Sequence, residues 1–141
     1  MVNHELQVGY ILKQAQSLLH ARMEEALKPL ALSVTQYSCL HHLRREPGIS
    51  ASALARATFV TRQSMNATLQ QLLDREFVSR PAQAESGRAL PTVLTPLGEE
   101  VLHSASVLID EVEQRMIAGL TESDRAALVR SLVACVSGLD S

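Results

Sequence analysis

The stretch SASALARATFVTRQSMNATLQQLLDREFVSR, residues 50–80, decides how this chain folds. Ser50 has the side chain of a helix N-cap, and the short helix it starts, about Ala51 to Ala57, turns Leu54 inward. Thr58-Phe59-Val60 is a brief connection to Thr61, which caps a second helix over about Arg62 to Arg75. Met65, Leu69 and Leu72 fall on one face of that helix at helical spacing, with Leu73 and Thr68 at the margin. Two helices joined by so short a turn form a helix-turn-helix. Phe77-Val78-Ser79-Arg80 then reads as a strand, Pro81 to Gly87 as a loop and Ala89 to Leu94 as a returning strand. Pro91 cannot donate to a ladder, so this second strand belongs at an edge. A hairpin placed directly after a helix-turn-helix is a wing.

Outward from this unit the chain is helical. About Glu5 to Leu27 reads as a long amphipathic helix with Ile11, Leu12, Ala15, Leu18, Leu19, Met23 and Leu27 as its apolar stripe, and Pro29 marks its end. Ser33 and Gln36 have the spacing of a capping box for a helix that runs to about Arg45, where Pro47-Gly48 breaks it. Thr95-Pro96 starts another long helix, to about Ala118, with Val101, Leu102, Ala105, Leu108, Ile109, Val112, Met116 and Ile117 on one side. Thr121 and Asp124 cap a last helix. The expected fold class is therefore mainly α: about six helices and a two-stranded wing. Residues 33–95 would form one compact lobe, and 1–30 with 96–141 a helical region from both chain ends.

With 141 residues there is material for one domain and one core, and aromatic residues are only 3% of it, so aliphatic side chains must fill that core. The start of the chain lacks the basic and apolar pattern of a signal peptide, and no window approaches the about 18–20 apolar residues of a membrane span. Cys39 and Cys135 are far apart and match no metal or redox spacing, which makes a reduced, cytoplasmic protein the expectation. The net charge of −2 is unevenly spread: residues 48–95 carry five Arg against three acids, residues 96–141 three Arg against eight. One basic face and one acidic end are compatible with a phosphate-bearing partner.

An α-helix fits the major groove of B-DNA, with its first turns commonly towards the base edges. Away from its apolar stripe the second helix of the helix-turn-helix offers Thr61, Arg62, Gln63, Ser64, Asn66, Ala67 and Gln70. Arg pairs with guanine, Asn and Gln with adenine, Ser with either, and Ala packs on a thymine methyl. Such residues also serve as the solvated face of any amphipathic helix, and the turn, strand and loop around them are what favour nucleic acid. Arg80 and Arg88 bracket the wing loop, where an Arg can enter a narrow minor groove. Arg44, Arg45 and Arg56 are lesser candidates for phosphate contacts.

Leu54-Ala55, Leu72, Phe77-Val78-Ser79-Arg80, Gly87-Arg88 and Leu94-Thr95-Pro96-Leu97-Gly98 occur in an order and spacing that resembles the MarR (multiple-antibiotic-resistance regulator) family over nearly the whole chain. The last segment reproduces that family's Leu-Thr-x-x-Gly signature. The resemblance implies a homodimer whose terminal helices interleave and set two winged lobes on a palindromic operator, with recognition helices roughly 34 Å apart. It implies a repressor of nearby genes, released by a small aromatic or phenolic effector. Three positions depart from the family pattern: Ser86 with Glu85 before the wing-tip Arg, Glu76 where a glycine is usual, and Ala67 where an Arg is frequent.

Tyr37, His41 and His20 offer a stacking ring and polar partners for such an effector, although Tyr37 also suits packed core and His41-His42 a solvated pair. A thiol sensor would rest on Cys39, which does not lie where family members carry a sensing cysteine. His4, His20, His41, His42 and His103 have no metal-binding spacing, so no metal and no cofactor are expected. No nucleophile elbow, phosphate loop, dinucleotide fingerprint or zinc-protease motif is present, which argues against an enzyme. A winged helix that binds only proteins is the remaining alternative. The Arg-bearing wing and the absence of acids at the start of the recognition helix favour DNA.

Overall fold

A computed structural model describes residues 7–80 and 91–141. Among these, the elements run α1 (Val8–Leu27), a 3-10 turn (Lys28–Leu30), α2 (Val34–Arg45), α3 (Ala51–Ala57), α4 (Arg62–Asp74), β1 (Val78–Ser79), β2 (Val93–Leu94), α5 (Pro96–Ile117) and α6 (Glu122–Leu139). The expected mainly α winged fold is therefore present. The 3-10 turn after α1 was not foreseen; Pro29 in it lacks the N–H that a continuing α-helix would use.

The caps are those the sequence specifies. Ser33 and Gln36 close a reciprocal capping box at α2, and Ser50, Thr61 and Thr95 each accept the backbone N–H three residues on. Thr121 and Asp124 do the same as a box at α6. Each such cap contributes about 1 kcal/mol.

α2 is the hub: it touches α1, α3, α4, α5 and β2. Around it Leu27, Leu40, Leu43, Leu54, Met65, Leu69, Leu72 and Leu102 are fully buried, as is Cys39. Burial of each large aliphatic chain contributes about 1.5–3 kcal/mol, which makes this one core spanning lobe and terminal helices. Among the described residues the sheet is shorter than expected, with Val78 paired to Leu94 and Ser79 to Val93, antiparallel, while Ala89 and Leu90 of the expected second strand lie outside them. Pro91 and Thr92 precede β2 rather than join it, consistent with the missing proline donor. Gly48, at φ 82, donates to the Thr92 carbonyl at 3.1 Å, which ties the wing base to the α2–α3 turn.

The terminal helices look different. α1 buries only Leu27, and α6 buries no side chain at all. The apolar stripe read on α1 is real in its spacing, but Ile11, Leu12 and Leu18 are exposed. Together with Val8, Met116, Leu128 and Leu132 the first two of these line an apolar groove of about 630 Å³ between α1, α5 and α6.

Candidate nucleic-acid interface

α3 and α4 meet through a turn closed by Thr58 N–H to the Leu54 carbonyl and Val60 N–H to the Ala55 carbonyl, at 3.0 and 3.1 Å. Phe59 at its apex has φ 60 and is 93% exposed. Nothing in the structure explains a bulky residue there.

α4 divides cleanly by face. Met65, Thr68, Leu69 and Leu72 are buried, whereas Thr61, Arg62, Gln63, Ser64, Asn66, Ala67 and Gln70 are all exposed. Thr68 is satisfied by donating to the Ser64 carbonyl at 3.0 Å, so its hydroxyl does not oppose burial. The first turn holds no acid and begins with Arg62, so the side-chain charge adds to the positive end of the helix dipole. Thr61 Oγ1 accepts from Ser64 N–H at 3.0 Å, which leaves its O–H as a donor. The Gln70 amide donates to Asp74 at 2.9 Å, a bond it must exchange before it can read a base.

Arg80, exposed at the end of β1, donates from Nε to the hydroxyl of buried Thr92 at 2.9 Å and so belongs to the wing base. Arg88, with Glu85, Ser86 and Gly87, lies outside the described residues.

Tyr37 and His41 stack at 6.1 Å between ring centroids, and His42 meets His41 edge-on at 5.5 Å. Burial pushes the Tyr37 hydroxyl pKa up, against a hydrogen bond with Ser106, and the carboxylates of Asp110 and Glu113 push it further. Burial, then His42, Arg45 and Arg44, lower the pKa of His41, which favours its neutral imidazole. His20 lies on α1 with Glu24 at 3.5 Å; among the described residues no hydrogen bond or ring contact joins it to the pair. A different feature escaped sequence reasoning. Arg22 and Arg115 line an apolar groove of about 330 Å³ with Leu18, Leu19, Val112 and Met116. Only folding brings together two cations from opposite ends of the chain.

Burial raises the Cys39 thiol to about 12, which keeps it protonated and unreactive, and this removes the basis for a sensor at that residue. Among the described residues no group of three metal-ligating side chains occurs, and no helix is long and apolar enough to cross a membrane.

The family model described as MarR family matches residues 32–89. The HTH-type transcriptional repressor Rv2887 of Mycobacterium tuberculosis is 36% identical over 125 residues, 89% of this chain and 90% of that protein. The chain belongs to the MarR family. Two solved structures of the Rv2887 protein superpose closely. Its complex with DNA gives a TM-score of 0.76 at 32% identity, covering 91% of this chain and 96% of that one. Its complex with salicylic acid gives 0.77 at 34%, covering 95% and 99%.

In this MarR-family chain the Leu-Thr-x-x-Gly signature has a visible physical cause. Thr95 Oγ1 accepts from Gly98 N–H and donates to the Glu76 carbonyl at 2.6 Å, while Thr95 N–H bonds the Phe77 carbonyl at 3.1 Å. Any Cβ on Gly98 would run into that same Phe77 carbonyl. Glu76, where the family usually has glycine, has φ 62, the left-handed conformation that glycine adopts freely.

Proposed function

We propose that this chain is a transcriptional repressor that binds a palindromic duplex as a homodimer and is released by a small aromatic or phenolic acid. The division of α4 into a buried stripe and an exposed, polar, acid-free N-terminal face carries this conclusion. Thr61, Arg62, Gln63, Ser64, Asn66, Ala67 and Gln70 face the major groove, and Arg80 with Arg88 contacts the backbone or minor groove from the wing. Residues 33–95 form the DNA-binding lobe. Residues 1–30 and 96–141 form the dimerisation region, and among the described residues the apolar faces of α1 and α6 stay largely exposed in one copy. Such a protein works in the cytoplasm, on genes near its own.

Charge separates two places for the effector. Tyr37 and His41 offer rings, but there Asp110 and Glu113, which oppose an anion, offset the cations Arg44 and Arg45. The groove of Arg22 and Arg115 offers apolar walls and two guanidinium groups, which suit an aromatic carboxylate better. Arg22 is held by Glu25 at 3.0 Å in an exposed pair, which is weak enough to exchange. The relative crystallised with salicylic acid supports this ligand class.

An electrophoretic mobility shift on the DNA upstream of the protein's own gene tests the proposal. A retarded complex that weakens steeply with salt and dissociates with salicylate is expected. Asn66→Ala should lose about 1–3 kcal/mol at particular base pairs only. No salt-sensitive complex would leave the winged helix as a protein-interaction module.

A further inference from the structure

We propose that Arg75 is a positioning residue for DNA recognition: it fixes the recognition helix to the helices of the dimerisation region and so sets the separation of the two lobes. The inference rests on the DNA-binding, dimeric reading above.

Arg75 follows the last residue of α4 and is half-buried. Its Nη1 donates to the Ala31 carbonyl at 2.6 Å and its Nη2 to the Leu30 carbonyl at 3.1 Å. Both acceptors lie where the chain leaves α1, and Ala31 has φ 51, which closes the turn after Leu30. The planar fork of a guanidinium matches two neighbouring carbonyls in a way a lysine ammonium does not. The same guanidinium lies over the buried Phe77 ring, 4.6 Å from its centroid. Phe77 and Glu76 in turn hold Thr95, the N-cap of α5. One side chain thus fastens the end of α4 to the exit of α1 and, through its own neighbours, to the entrance of α5.

Two further bonds span the same elbow. Gln36 of α2 donates to Gln71 of α4 at 3.0 Å, and the Glu24 carboxylate of α1 accepts from Val34 N–H at 3.1 Å. They keep the lobe near its place without Arg75, but neither couples α4 to both terminal helices. A dimer bound to two half-sites needs both recognition helices at one spacing, whereas a single half-site needs only one lobe.

The test uses the full-length dimer and a duplex that the wild-type protein selects from a random-sequence pool. That duplex is remade with one base pair added or removed between half-sites, and with one half-site scrambled. Wild-type protein should discriminate sharply between spacings. Arg75→Gln and Arg75→Lys should each lose about tenfold in affinity for the selected spacing, as expected if the competent arrangement is populated about a tenth of the time. Discrimination between spacings should shrink in parallel, while binding to the single half-site and the salt slope stay unchanged. Equal losses on one and two half-sites would overturn the proposal, as would unchanged spacing discrimination. A wild-type-like Arg75→Lys, with the salt slope lowered by about one in Arg75→Gln, would instead make Arg75 a phosphate contact. Failure of the wild-type protein to select any duplex would sink the DNA-binding reading itself, a distinct result.

Discussion

Glu76 sits where the chain turns from α4 into β1, with φ 62 and its carbonyl engaged by the Thr95 hydroxyl. A residue with a Cβ in the left-handed region costs roughly 1–2 kcal/mol, and the Glu76 side chain is exposed. Glu76→Gly removes that cost and gives back part of it as unfolded-chain entropy. The expected net gain is about 0.5–1 kcal/mol, seen as a thermal midpoint higher by about 2–4 °C. A lower midpoint would show that the turn stores no strain. The strain was visible in the sequence, because a resemblance that places glycine there makes glutamate stand out. The equivalent strain at Ala31 and Phe59 was not, since nothing local marks either residue as left-handed.

Helices were legible in the chain wherever a cap and a periodic stripe agreed. Ser33 with Gln36, Ser50, Thr61, Thr95-Pro96 and Thr121 with Asp124 all start helices, because each is a local hydrogen-bonding solution that needs no tertiary context. The exposed face of α4 was legible for the same reason. The short ladder, Val78–Ser79 with Val93–Leu94, was less so, because strand length depends on the partner and not on the strand. The clamp at Arg75 and the Arg22–Arg115 groove join residues distant in sequence and carry no local signature. The fit of α5 against the wing base tests how tightly two elements are joined. Gly98→Ala pushes a methyl into the Phe77 backbone, which cannot swing aside as a side chain would. A loss of about 1–3 kcal/mol or more follows, measured by chemical unfolding. A neutral result would mean that α5 can slide along the wing.

At the scale of the molecule, α6 is a folded helix without a core of its own. Leu128 and Leu132 face the same groove as Ile11, Leu12 and Met116, and Val133 and Val136 are open to solvent. A second copy is the occupant that a dimeric repressor supplies. Leu132→Asp would place an unpaired carboxylate from each subunit in that interface, where desolvation costs several kcal/mol. Sedimentation should then show monomers at micromolar concentration, with two-half-site DNA binding lost. A dimer of wild-type strength would move the interface elsewhere.

The bare surface of α6 also governs how the protein responds to its own abundance. Where subunits are scarcer than their dissociation constant, the number of dimers rises with the square of the number of chains. Halving expression then leaves about a quarter of the operator-competent species, and a gene under this control switches over a narrower range of repressor supply than a monomeric binder would allow.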